Sequence, residues 1–367
     1  MPLFWSFVWL VATVSAAGQG PPSEAPTVRP DGRVSYRLRA PAARQVTLWG
    51  EWMRPESTLP LTRDADGIWS IDVGPLDAGL YLYAFDVDGL RVADPMNRRV
   101  THGYPGLASL VEIPGASAVF MAVRPVPHGT VHVVRYASPA TGTLRQAQIY
   151  TPPGFDASSR RRYPTAYLLH GSSDNDTGWV EPGRAGIIVD NLLAAGQAVP
   201  MVLVMPDGHP FPSFELNTRM QNLELLREDL LRALIPLAER DYRASSRRED
   251  RAIVGLSMGG AQALHIGVSA VETFGSIGLF STPGDIPFSA PFEIAQAANL
   301  KNPERLNRLR LFWVACGRDD PLLGEARQVS EVLKRHGVRH TWRETNGSHD
   351  WNTWRRYWFE MAPLLFR

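Results

Sequence analysis

The sequence is poor in lysine and almost without cysteine. Lys301 and Lys334 are its only lysines, so nearly all the positive charge is arginine. Cys316 stands alone, which excludes an internal disulfide framework and a cysteine-based metal site. Net charge is missing too: 38 Lys and Arg against 37 Asp and Glu leave +1, no footprint for a nucleic-acid partner. The body of the chain has no apolar run of about 18 residues, which argues against an integral membrane protein. What remains is ordinary for a soluble globular protein, with 44 % hydrophobic and 20 % charged residues. A chain of 367 residues is long enough for two domains, and its 31 glycines and 30 prolines imply many turns.

Leu3–Val14 is apolar apart from Ser6 and Thr13, and Ser15-Ala16-Ala17 supplies small residues for a signal peptidase. Residues 1–17 are therefore expected to be an export signal, and the protein to be secreted or periplasmic. No cysteine follows the apolar run, so no lipid anchor is expected. Residues 18–30, rich in Pro, Gly and small polar residues, read as a linker.

The grammar then changes twice. From 31 to 115 the pattern has period two: Val34, Tyr36 and Leu38 alternate with polar residues, as do Trp69, Ile71 and Val73. Tyr81, Tyr83 and Phe85 share one face of a strand, and Asp66-Gly67 and Asp88-Gly89 are hairpin turn signals. This predicts a small all-β sandwich. Residues 116–127 read as a second linker. From 128 to 367 short apolar runs (Thr165–Leu169, Met201–Met205, Ala252–Gly255, Leu311–Ala315) alternate with helical stretches (Ile187–Ala195, Asn222–Arg240, Met258–Ala270, Glu325–His336). That alternation predicts a mostly parallel sheet with helices on both faces.

The chemistry lies on the second segment. Gly255-Leu256-Ser257-Met258-Gly259 follows an apolar strand and opens an alanine-rich helix, the context that a G-x-S-x-G nucleophile turn requires. Ser257 is the candidate nucleophile. Its base should follow it in the chain, after an acid. His265 lies inside the helix, and His336 and His340 flank a helix-to-strand turn. His349, in Asn346-Gly347-Ser348-His349-Asp350-Trp351 after the apparent strand Thr341–Glu344, sits where such sheets gather catalytic groups. For the acid, Asp319 and Asp320 both leave the end of the strand Leu311–Ala315, and the residues alone do not choose between them. The oxyanion hole needs two backbone N–H donors. They are expected at Met258 and, after the strand ending in Leu169-His170-Gly171, at Ser172.

These stretches resemble the putative-esterase (esterase D-like) family of α/β-hydrolases, which includes bacterial feruloyl esterases, enterochelin-esterase-like proteins and mycolyltransferases. The likeness is carried by Ile149–Phe155, Tyr167–Gly171, Asp190-Asn191-Leu192, Val204–Gly208, Gly255–Gly260, Cys316-Gly317 with Asp320, and Gly347–Trp351 with Trp354-Arg355. It implies an α/β-hydrolase domain, selects Asp320 over Asp319 as the acid, and supports Ser172 as the second oxyanion donor. The first segment is similar to the immunoglobulin-like early-set sandwiches classed with family 48 carbohydrate-binding modules, through Val34–Leu38, Gly67–Trp69, Gly79–Tyr83, Val87–Gly89 and Asp94-Pro95. Together the two likenesses imply a secreted serine carboxylesterase, feruloyl-esterase-like, without metal or cofactor. Its substrate would be a small-molecule or polysaccharide-linked ester. A siderophore lactone and acyl transfer to a sugar are the alternatives with the same chemistry. An inactive glycan-binding protein would show a broken triad, which this chain does not.

Four tryptophans are open to two readings. Trp179 and Trp351 either contact an aromatic acyl group at the rim of the site or pack the core. Trp49 and Trp52 either stack on sugar rings or pack the sandwich and the domain contact. The loops 210–220 and 281–300 are expected to shape the pocket.

Overall fold

The computed structural model describes residues 26–53, 57–103, 106–211, 216–284 and 291–367, with backbone only for 216–221. The expected export signal, residues 18–25 of the first linker, and parts of the 210–220 and 281–300 loops lie outside the described residues.

The larger domain is built on an eight-stranded sheet, here labelled within itself: β1 (Thr130–Ser138), β2 (Thr143–Thr151), β3 (Thr165–Leu169), β4 (Val202–Pro206), β5 (Arg251–Leu256), β6 (Ser276–Phe280), β7 (Leu311–Gly317) and β8 (Thr341–Thr345). Their spatial order is 1-2-4-3-5-6-7-8. β1 and β2 form an antiparallel hairpin, and from β4 to β8 every neighbour is parallel. Strands β3 to β6 are buried along their whole length, which is why their sequence reads as continuous apolar runs. Two separate hydrophobic clusters cover the two faces of the sheet: Tyr167, Ile253 and Leu264 belong to one, and Leu168, Val254 and Trp358 to the other. The α/β-hydrolase arrangement expected from the sequence is present. The long helical stretch expected over Asn222–Arg240 is interrupted: an α-helix Leu216–Asp229 passes through a π-turn, Leu230–Leu234, into Ile235–Asp241. Asp229, fully buried just before the π-turn, takes hydrogen bonds of 2.6 Å from both Arg145 and Tyr136.

The smaller domain packs a four-stranded sheet (Thr27–Val28, Val34–Arg39, Ile68–Val73, Thr62–Arg63) against a six-stranded one built around Gly79–Val87. The expected alternation holds on Val34–Arg39, where Val34, Tyr36 and Leu38 are buried and their neighbours are not. It fails on Gly79–Val87. Leu80 and Ala84 are as buried as Tyr83 and Phe85, and Leu80 packs into the apolar cluster of the larger domain's Trp179 and Trp351. Residues 27–28 add an edge strand to the sandwich, where the sequence suggested linker.

Residues 116–127 are no free linker either. Ala116–Met121 is a 3-10 turn whose Ala118 and Met121 are buried. Asn191 donates to the carbonyls of Phe120 and Ala122 at 3.0 and 2.9 Å, and Phe120 packs on Phe359. Leu80, Leu110 and Met121 belong to the same apolar cluster as Trp179, Trp351 and Trp358, so the two domains share a core. Arg184 locks the junction with two hydrogen bonds to Glu112, at 2.8 and 2.6 Å.

Candidate active site

The site begins at the end of β5. Ser257 has φ 51° and ψ −122°, a left-handed strain that no ordinary helix start needs. Glycines on either side make the turn possible. A β-carbon on Gly255 would fall 1.9 Å from the carbonyl oxygen of Gly259, and one on Gly259 would fall 2.4 Å from that of Leu169. The turn lifts the serine hydroxyl off the sheet and starts the helix Met258–Ser269 directly after it. Met258 N–H, first in that helix, has no intrahelical acceptor and is free for an incoming oxyanion.

Strands β7 and β8 deliver the partners. His349 Nε2 lies 3.0 Å from Ser257 Oγ. Its Nδ1 lies 3.0 and 3.1 Å from the two carboxylate oxygens of Asp320. Asp319, the competing carboxylate, is exposed and makes no such contact. Burial alone would raise the Asp320 carboxyl. The hydrogen bond and charge of His349, the Ser281 hydroxyl and the Leu322 amide outweigh it and hold the carboxyl below its usual range. Trp354 sets its ring edge-on to the imidazole, 4.9 Å between centroids, and donates its indole N–H to Ser281. A fixed imidazole bridging a hydroxyl and an ionised carboxylate is the arrangement for activating a nucleophile.

Ser172 lies beside Ser257 on the wall of the same cavity, of about 310 Å³. The Gly171 backbone approaches Ser257 so closely that a β-carbon there would meet the serine's own at 3.6 Å. His170 holds this loop from behind. Its Nε2 accepts from Gly208 N–H at 2.7 Å and its Nδ1 bonds the Gly171 carbonyl at 2.8 Å.

The aromatic candidates divide. Trp351 lines the cavity. Trp179 does not: it is 1 % exposed, packed edge-on against Trp351, Phe280 and Trp358, and supports the site from the core. Trp52 packs on Tyr36 and Tyr81 inside the sandwich. Trp49, on the opposite face of its strand from core residue Leu48, faces the cavity under the guanidinium of Arg91, 4.9 Å from its ring centroid.

Sequence reasoning missed how much of the wall belongs to the sandwich. Trp49, Glu51, Leu82, Arg91, His102 and Leu107 come from it, facing Ser257, His349 and Trp351 from the larger domain. Two acidic groups also went unnoticed. Glu51 is pushed up to about 7 by burial, which outweighs the Arg355 charge and two backbone hydrogen bonds. Asp174 is pushed up to about 6 by burial, against His170 and hydrogen bonds from Gly171 and Trp351. Among the described residues, no group of three or more His, Cys, Asp or Glu could hold a metal ion, and no helix is long and apolar enough to cross a membrane.

Comparison with known proteins adds to this geometry. The family model described as "Putative esterase" matches residues 138–365. An endo-1,4-beta-xylanase/feruloyl esterase of Xylanibacter ruminicola is 31 % identical over 360 residues, 95 % of this chain and 46 % of that protein. The chain thus spans under half of that relative's length. An acetyl esterase of Caldicellulosiruptor saccharolyticus is 28 % identical over 221 residues, 53 % of this chain and 79 % of its own. Among solved structures, a ferulic acid esterase of Anaeromyces mucronatus superposes with a TM-score of 0.59 at 23 % identity, over 69 % of this chain and 96 % of that one. The enterobactin esterase of Shigella flexneri superposes with a TM-score of 0.65 at 18 % identity, over 90 % of this chain and 92 % of its own. These last two likenesses are of fold.

Proposed function

The chain belongs to the putative-esterase family, and from that membership we propose that it is a secreted serine carboxylesterase acting on feruloyl or acetyl esters of plant polysaccharide. The observation that carries the chemistry is the 3.0 Å approach of His349 Nε2 to Ser257 Oγ, with Asp320 on the other ring nitrogen.

In this reading Ser257 Oγ attacks the ester carbonyl carbon while His349 Nε2 takes its proton. Asp320 holds the imidazole in the Nδ1–H tautomer and stabilises the imidazolium. The amides of Met258 and Ser172 stabilise the tetrahedral oxyanion, a contribution of about 3 kcal/mol per donor in such sites. Collapse breaks the ester C–O bond, and His349 protonates the departing alcohol. Water, deprotonated by the same imidazole, then hydrolyses the acyl-enzyme and restores the serine. No step needs a metal or a cofactor.

The substrate class is supported by the relative with feruloyl esterase in its name, whose similarity runs through the sandwich as well as the hydrolase domain. It is also supported by the wall of the cavity, where the sandwich sets an aromatic face, Trp49, opposite the nucleophile. An acyl group seated against Trp351 would leave the sugar side of the ester toward Trp49.

The test is acid release by the purified chain from methyl hydroxycinnamates and from acetylated xylan, with Ser257→Ala as control. Ferulate release at a kcat/KM of about 10⁴ M⁻¹s⁻¹ or more supports the feruloyl reading. Activity on acetyl esters alone moves the substrate and keeps the mechanism. Undiminished activity in Ser257→Ala overturns the nucleophile. No hydrolysis of either series turns the reading toward siderophore lactones or acyl transfer.

A further inference from the structure

Glu51 and His349 belong to different domains, yet the backbone beside His349 ends on Glu51. Trp351, two residues after the histidine and first in the helix Trp351–Met361, donates its N–H to Glu51 Oε1 at 2.8 Å. The other carboxylate oxygen, Oε2, accepts Leu82 N–H at 3.2 Å, and Glu51 N–H donates back to the Leu82 carbonyl at 2.9 Å. Glu51 is therefore fixed on the sandwich strand Gly79–Val87 at one end and grips the histidine loop at the other. The rest of that loop is held from its own side. Asp350 accepts Thr353 N–H at 2.8 Å, and Ser348 N–H donates to the Thr353 hydroxyl at 3.1 Å.

We infer that Glu51 is a positioning residue: its ionised carboxylate, supplied by the sandwich, holds the backbone carrying His349 in register with Ser257. The inference rests on the esterase reading for its kinetic consequence only. Both oxygens of Glu51 receive an N–H, and only the ionised form offers two full acceptors. A protonated acid turns one oxygen into a hydroxyl donor facing an N–H, so one of the two bonds is lost. A carboxylate near the first turn of a helix is also favoured by the helix dipole. Around Glu51 stand Arg355 and Asp350 on the helix, Tyr81 on the strand, and across the cavity Arg91, His102, Asp174 and His349. Burial raises the proton affinity of Glu51 into the range where small pH changes switch it.

The distinguishing readout is the pH profile of kcat. For the wild type on an aryl acetate, kcat should follow the ionisation of Glu51. As pH falls through about 7, kcat of the wild type should drop about tenfold more than kcat of Glu51→Gln, whose amide mimics the protonated acid. On the alkaline plateau Glu51→Gln should have a kcat about tenfold lower than the wild type, with KM within about twofold, the signature of a displaced catalytic group. A ratio of wild-type to Glu51→Gln kcat that stays constant from about pH 5 to about pH 8 overturns the inference. A risen KM at unchanged kcat in Glu51→Gln also overturns it, making Glu51 a substrate contact.

Amide hydrogen exchange provides a second readout that needs no substrate. The Trp351 amide should exchange about tenfold faster in Glu51→Gln than in the wild type, with the helix interior unchanged. Equal rates overturn the inference. If the wild type hydrolyses no ester, the esterase reading fails, and the exchange rates still decide this one.

Discussion

A β-carbon on Gly255 would stand 1.9 Å from the carbonyl oxygen of Gly259, and one on Gly259 would stand 2.4 Å from that of Leu169, so backbone excludes a side chain at both glycines flanking Ser257. The obstacle is backbone, which cannot rotate out of the way. Gly255→Ala is therefore expected to destabilise by about 3 kcal/mol or more, at the upper end of overpacking substitutions. The measurement is a melting curve beside an activity assay. An alanine variant with wild-type melting would mean that the turn is looser than its geometry.

The acid of the proposed triad can be identified by a pair of substitutions. Asp320→Asn should lower kcat about 10⁴-fold, since the amide would stabilise the wrong imidazole tautomer. Asp319→Asn, at the exposed neighbour, should change kcat less than about twofold. Stability follows the same residue. The folded carboxyl of Asp320 sits below its unfolded value, so its contribution is present above the ordinary carboxylate range and lost as pH falls through the lowered one. That acid-side loss should be absent from the melting temperatures of Asp320→Asn.

Glu51 has the opposite sign. Its folded value, about 7, lies above the ordinary carboxylate range. Its contribution is therefore full below the unfolded value and is lost as pH rises through about 7. Ionising it in place costs up to about 3 kcal/mol, less whatever water in the cavity screens. Melting temperature of the wild type should fall relative to Glu51→Gln between about pH 5 and about pH 8. A constant difference across that range would remove the buried charge from the account. The residue thus trades stability for the position of His349, as strained functional groups do.

The hydrogen-bonded arrangement of Ser257, His349 and Asp320 and the sheet were legible because each carries a local signature. Ser257 lies in a motif whose glycines are required by its own turn, and β3 to β6 read as unbroken apolar runs because both their faces are covered. Asp320 was not separable from Asp319 by pattern, since both leave the same strand end and only the fold turns one of them toward His349. The sandwich wall was illegible for another reason. Trp49 is on the face of its strand Val46–Gly50 that points away from Leu48, and Glu51 stands two residues on, in the turn directly after the strand. What that face meets is fixed by contacts some 300 residues away along the chain, such as Glu51 with Trp351. The same long-range cover explains why Leu80 is buried against the expected alternation.

Trp49 gives the sharpest test of the sandwich as part of the substrate site. Its ring lines the cavity that holds Ser257, and Arg91 covers it while bonding Asp86 at 3.1 and 3.2 Å. Held this way, the ring loses little freedom when a ligand stacks on it, so its area goes into binding. A methyl ester has nothing to place there, whereas a feruloylated oligosaccharide has a sugar ring. Trp49→Ala should therefore raise KM for the oligosaccharide ester about tenfold and leave methyl ferulate within about twofold, an energy of roughly 1.4 kcal/mol. Equal effects on both substrates would mean that the ring supports the cavity without touching the sugar. No effect on either would return the sandwich to a purely structural partner of the hydrolase domain.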